Sequence, residues 1–183
     1  MDHLQTIQQI FSARFLRVPD YQRGYAWERK HWVDLLEDLD LLDVGGEHYT
    51  GTLVLHHADG VPPITDEEGR EHGVYDVVDG QRRLTTIVLL LDAIRRELPE
   101  GSTLAAGIEK TYVLTRDLDG QLRPKLRLNR DTHAFFSRNL IADHPGNPSS
   151  WVSEKSGKTR DFAASDSLVR LTAGPIEFLG VMG

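Results

Sequence analysis

The chain has 183 residues, 39% hydrophobic and 27% charged, an ordinary globular composition outside the disordered and fibrous classes. It has no cysteine, which removes disulfides, thiolate metal sites and a cysteine nucleophile. A formal charge of −7 excludes a surface that attracts nucleic acid over its whole extent, although a local basic patch is compatible with it.

The opening Met1-Asp2-His3-Leu4-Gln5 puts an acid where a secretion signal carries cations, and no apolar run approaches the ~20 residues of a bilayer span. A cytoplasmic location and no membrane partner are therefore expected. Ile7, Ile10 and Phe11 predict a short first helix, followed by an extended stretch from Phe15 to Pro19, because a residue before proline avoids the helical region. Trp32, Leu35, Leu36, Leu39 and Leu42 recur at three- and four-residue spacing and predict a second helix that stops at Gly45-Gly46. Asp34, Glu37, Asp38, Asp40, Asp43 and Glu47, with no cation among them, become its wet face.

The run from His48 to His56 predicts a strand, residues 58–73 a polar loop, and Val74, Tyr75, Val77 and Val78 a second strand. After Asp79-Gly80, the spacing of Leu84, Ile87, Val88, Leu91 and Ile94 predicts a long helix that Pro99 and Gly101 close. Residues 112–115 and 122–128 flank Asp117-Leu118-Asp119-Gly120 as a hairpin. A helix over about 131–141 follows. Pro145-Gly146-Asn147-Pro148-Ser149-Ser150 reads as a linker, so the chain divides into a domain over 1–144 and a linker with an unassigned tail over 145–183.

Two segments carry chemistry. In Val77-Val78-Asp79-Gly80-Gln81-Arg82-Arg83-Leu84-Thr85-Thr86 a strand turns through glycine into a helix, which exposes unpaired N–H groups and a positive dipole end beside two guanidinium groups. That combination suits phosphate, though it is not a Walker loop. The competing reading is a plain turn with Asp79 as helix cap and solvent-facing arginines. In Val18-Pro19-Asp20-Tyr21-Gln22-Arg23-Gly24-Tyr25-Ala26-Trp27 aromatic, amide and cationic groups crowd a non-helical segment, as for stacking on a base and holding a phosphate, or else for plugging the core. Arg123, Lys125 and Arg127, at alternate positions of a strand, form with Arg130 a candidate contact to a DNA backbone or the solvated face of an edge strand. The histidines show no metal-ligand spacing; they read as surface or capping residues, and no metal site is predicted.

The two segments, joined by Tyr49-Thr50-Gly51-Thr52-Leu53-Val54, resemble the N-terminal domain of GmrSD-type, modification-dependent restriction enzymes over roughly Leu4 to Ile141. The resemblance implies a ParB/sulfiredoxin-like α/β fold, a small mixed sheet flanked by helices. It also implies a nucleoside-triphosphate hydrolase domain that serves as sensor in a bacterial anti-phage restriction system. The alternative it leaves is a module that binds nucleotide or modified DNA without turnover. Carried over by position, Asp79, Gln81, Arg82 and Arg83 would be catalytic, and Gly80, Tyr21, Gln22 and Arg23 would bind nucleotide. Arg82 stands where many members have a second Gln. Gln81 would orient the attacking water, Asp79 would place a metal or that water or only cap the helix, and Mg²⁺ would accompany the triphosphate. Modified DNA and a separate nuclease or helical domain are the implied partners, and no nuclease site is expected within this chain.

Overall fold

A computed structural model describes residues 3–26, 29–43, 45–140 and 177–182. In chain order these form β1 (His3–Thr6), α1 (Ile7–Ser12), β2 (Arg14–Arg17), α2 (Arg29–Asp40), β3 (Glu47–His57), β4 (Ile64–Thr65) and β5 (Glu71–Asp79). They continue with α3 (Gln81–Glu97), α4 (Thr103–Ile108), a wide helical turn (Glu109–Val113), β6 (Leu114–Arg116), β7 (Leu122–Pro124), β8 (Leu126–Arg127), α5 (Arg130–Leu140) and β9 (Glu177–Met182). Trp27, the linker 145–150 and most of the tail lie outside the described residues.

The main sheet runs β1-β9-β3-β5-β2-β8, with β4 added alongside β5. β5 pairs antiparallel with β3 and parallel with β2, and β2 pairs parallel with β8. The expected mixed α/β fold, a small mixed sheet flanked by helices, is what forms. Its core joins Phe11, Leu16, Leu53 and Val77 to Leu84, Ile87, Val88 and Ile94 of α3, the stripe that the helical spacing marks. On α2, Leu39 is buried and Leu35, Leu36 and Leu42 pack on the same core, while Asp34, Glu37, Asp38 and Asp40 face water.

Several elements differ from the expectation. The loop over 58–73 contains a small hairpin, because Asp66 closes a turn: its Oδ1 accepts the N–H groups of Glu68 and Arg70, and β4 then pairs with the start of β5. Asp117 closes a second turn in the same way, accepting from Asp119 and Gln121. The two turns exchange main-chain bonds, Glu67 N–H to Arg116 O (3.0 Å) and Leu118 N–H to Thr65 O (3.1 Å). Helix α4, capped by the Ser102 hydroxyl, occupies a stretch without a sustained apolar period. Tyr112 belongs to the helical turn before β6 and not to the strand itself. Glu177–Met182, within the segment to which the sequence assigns no job, lies between β1 and β3.

The strand expected over 122–128 is two strands. Pro124 has no N–H to continue the ladder, so β7 stops there on β6, and β8 resumes on β2 after Lys125. Arg123, Lys125 and Arg127 therefore do not share a face. Lys125 is 2% exposed, whereas Arg123 and Arg127 are exposed.

Candidate functional site

β5 delivers the chain to Asp79, and Gly80 makes the corner. Gly80 is the N-cap of α3 at φ +89°, where L side chains are strained, and a Cβ there would sink into the Leu53 side chain beneath it. Asp79 is thus not the cap, correcting one of the two readings of that residue. Its carboxylate is exposed, 3.8 Å from Arg83 Nη2. Because Gly80 offers no side-chain acceptor, the first N–H groups of α3 have no side-chain cap from that position. They form the positive end of the helix, and the guanidinium of Arg82 in that turn is exposed and makes no hydrogen bond or ion pair among the described residues.

Arg83 does not follow Arg82. Its guanidinium turns back onto β3, donating from Nη1 to Thr50 O (2.8 Å) and from Nη2 to Thr52 O (2.7 Å). Arg83 is thus not one of a pair of solvent-facing arginines, as the plain-turn reading has it, and the fork expected to serve phosphate is engaged by main-chain carbonyls.

The segment around Tyr21 is clamped to the same corner. Gln22 Nε2 donates to Val77 O (2.6 Å) and Val78 O (2.9 Å), the carbonyls that end β5. Gln81 Nε2 donates in return to Arg23 O (3.1 Å). Each segment's glutamine therefore holds the other segment's main chain. Gln22, expected to face a ligand, is a strut whose own carbonyl accepts from Asn129 Nδ2 (2.7 Å). Tyr21 is 80% exposed, and the Arg23 side chain is also in solvent.

Tyr25 packs inward and hydrogen-bonds Thr86 Oγ1 at 2.9 Å. Thr86 spends its single proton on Arg82 O, so the phenol is the donor of this pair. Burial pushes the phenol up to about 12, despite its hydrogen bonds to Thr86 and Trp32. The ring is half-buried and bonded to α3, so it is not an open stacking face.

A cleft of about 270 Å³ lies behind the corner, between α2 and β3, with His31, Asp34, Asp38, His48, Tyr49 and Arg83 on its walls. Among the described residues no group of three or more His, Asp or Glu is placed to hold a metal, and no helix is long and apolar enough to cross a membrane.

A family model described as the GmrSD restriction endonuclease N-terminal domain matches residues 5–169, most of the chain. The chain belongs to that family. It is accordingly a domain of a restriction system. No curated protein matches it.

In this GmrSD N-terminal domain the three sequence segments that carry the resemblance are bonded to one another around Gly80. The basic residues are dispersed. Arg123 is taken by Asp117 (2.7 Å), whose carboxyl that hydrogen bond holds below the usual carboxylate range. Arg130 is exposed but paired with Asp20, which also accepts the Arg130 N–H at 2.8 Å. Arg127 remains exposed near both.

Lys125 belongs to a buried group that the sequence does not reveal. It lies 4.7 Å from the Phe15 ring centre and 3.4 Å from His72 Nδ1, while His72 Nε2 lies 2.9 Å from Asp66 Oδ2. An ammonium can only donate, so His72 accepts at Nδ1 and donates from Nε2 to Asp66. Burial pushes the lysine down to about 8, against the attraction of Asp66. Burial also opposes the Asp66 charge, yet the hydrogen bonds from His72 and Arg70 hold that carboxyl at about 2. These residues are 66, 72 and 125, with no periodic relation to announce them.

Proposed function

We propose that the corner between β5 and α3 binds and hydrolyses a nucleoside triphosphate, and that the domain is the cytoplasmic nucleotide-dependent sensor of a modification-dependent, anti-phage restriction system. The observation that carries this reading is the uncapped start of α3. The N–H groups of its first turn meet no side chain from Gly80, the guanidinium of Arg82 in that turn is free, and the exposed Arg23 is held to the turn by its carbonyl at Gln81 Nε2. Phosphate oxygens satisfy those donors, the guanidinium groups stabilise charge as it develops in phosphoryl transfer, and exposed Tyr21 supplies an aromatic face for a base. With Gln81 Nε2 held by Arg23 O, its Oε1 is the atom left to accept a hydrogen bond from the attacking water. Asp79, one exposed carboxylate, fits as a single ligand to a Mg²⁺ ion that arrives with the triphosphate, and the corner provides no fuller cage.

Binding without turnover is the second reading, favoured by one observation: the same Gln81 carboxamide is already engaged as a strut. Modified DNA is the proposed signal. Arg127, exposed and without an ion pair among the described residues, is the cation available for its backbone, with Arg130 joining it only by giving up Asp20, and cleavage belongs to a nuclease or helical domain elsewhere.

The test measures phosphate release and equilibrium binding of a non-hydrolysable triphosphate, with Arg82→Ala as the altered protein. Hydrolysis by the parent and its loss on substitution support the first reading; binding without release supports the second. Binding and hydrolysis unchanged by Arg82→Ala would remove this corner from both.

A further inference from the structure

We infer that Arg83 and Gly51 are positioning residues, holding the nucleotide corner from behind without touching the phosphates; the inference rests on the nucleotide reading above. Successive residues of a helix diverge by about 100°, so Arg82 and Arg83 point in different directions from the first turn of α3. Only Arg83 reaches β3, where its two terminal nitrogens meet the carbonyls of Thr50 and Thr52. Between those carbonyls stands Gly51 at φ +94°, where the pairing of β3 with β9 also slips register. A Cβ on Gly51 would occupy the space of Arg83 Nη1. The glycine is therefore required for its backbone angle and for the room it leaves.

The arrangement is a lock between strand and helix. Gly80 contributes no side-chain hydrogen bond to the first turn of α3, so Arg83 is the side chain of that turn that ties it to β3. Without this tie the turn loosens, and with it the aim of the N–H groups and of Arg82. A misplacement of 1 Å at a reacting centre costs about 100-fold in rate.

The full chain is compared with Arg83→Ala, Gly51→Ala and the double variant in Mg²⁺-dependent hydrolysis of ATP and GTP, in equilibrium binding of their non-hydrolysable analogues, and in thermal melting. Gly51→Ala keeps every residue of 79–83. A lock predicts that either single change lowers kcat by about 100-fold with KM little altered, and that the double variant is no worse than either. Arg83→Lys, which reaches one carbonyl, recovers part of kcat and carries the comparison if Gly51→Ala unfolds. A phosphate-binding Arg83 predicts the reverse: Arg83→Ala and Arg83→Lys raise KM, while Gly51→Ala, which frees the guanidinium, does not. That result overturns the inference.

If the wild type binds without turnover, the comparison is read in Kd: equal losses in the two single variants with none added in the double support the lock, and a loss confined to Arg83→Ala overturns it. If the wild type binds no triphosphate, the parent reading fails and melting decides the lock alone. Tm losses that do not add support it, and losses that add overturn it.

Discussion

Replacing Lys125 with methionine tests the buried group under Phe15. A lysine that is 2% exposed and held at about 8, against 10.5 for an ordinary lysine, keeps its charge in the folded protein at a cost of about 3 kcal/mol. The sign follows from proton counting. Between pH 8 and 10.5 the unfolded chain holds a proton on Lys125 that the folded chain has released, so this residue's contribution to stability rises with pH through that window. Below pH 8 the penalty is fully present.

Urea unfolding of the wild type and Lys125→Met at a series of pH values from 7 to 10.5 isolates the effect, since other titrations are shared. At pH 7 the two proteins should be close in stability: methionine removes the desolvated charge but leaves His72 Nδ1 without its donor. As pH rises to 10.5 the wild type should gain about 3 kcal/mol relative to the variant. A difference that stays flat across this range refutes the reasoning, because it would mean that the ammonium is solvated.

Two further outcomes are expected. Asp92 is fully buried, with Arg95 and Arg96 on its two oxygens at 2.8–2.9 Å, so Asp92→Asn should destabilise the protein by about 3–5 kcal/mol in urea unfolding, and a loss under 1 kcal/mol would show the cations to be well hydrated. If DNA lies along Arg127 and Arg130, Arg127→Ala should lower the slope of log affinity against log salt by about 1 in a fluorescence titration, and Arg123→Ala, whose cation Asp117 already neutralises, should lower it less.

The corner was legible in the sequence because its signals are local. An apolar strand, an Asp-Gly step and a sustained helical period are each written within a few residues, and β5, Gly80 and α3 form accordingly. The direction of Arg83 was not legible. A long side chain in a first helical turn can point either way, and its partners are carbonyls some thirty residues earlier. Gly51 did carry a hint, since an isolated glycine in a strand marks a bulge or a close approach. Lys125 misleads because the alternation of 123, 125 and 127 spans Pro124, where the ladder changes partner. The pairing of Asp66 and His72 with Lys125 depends on the β4–β5 hairpin converging with a residue more than fifty positions later, and no local pattern encodes that.

The bonds traded by the Asp66 and Asp117 turns have a mechanical consequence. Neither turn can swing without tearing amide links to the other, so the near end of β5 and the β6–β7 ribbon move as a single lever. The nine residues of β5 separate that lever from Gly80 by about 30 Å. Leu118, 66% exposed at the lever's tip, is thus a natural anchor for a spectroscopic label that reports tilt of the whole unit while leaving the opposite end of the strand untouched.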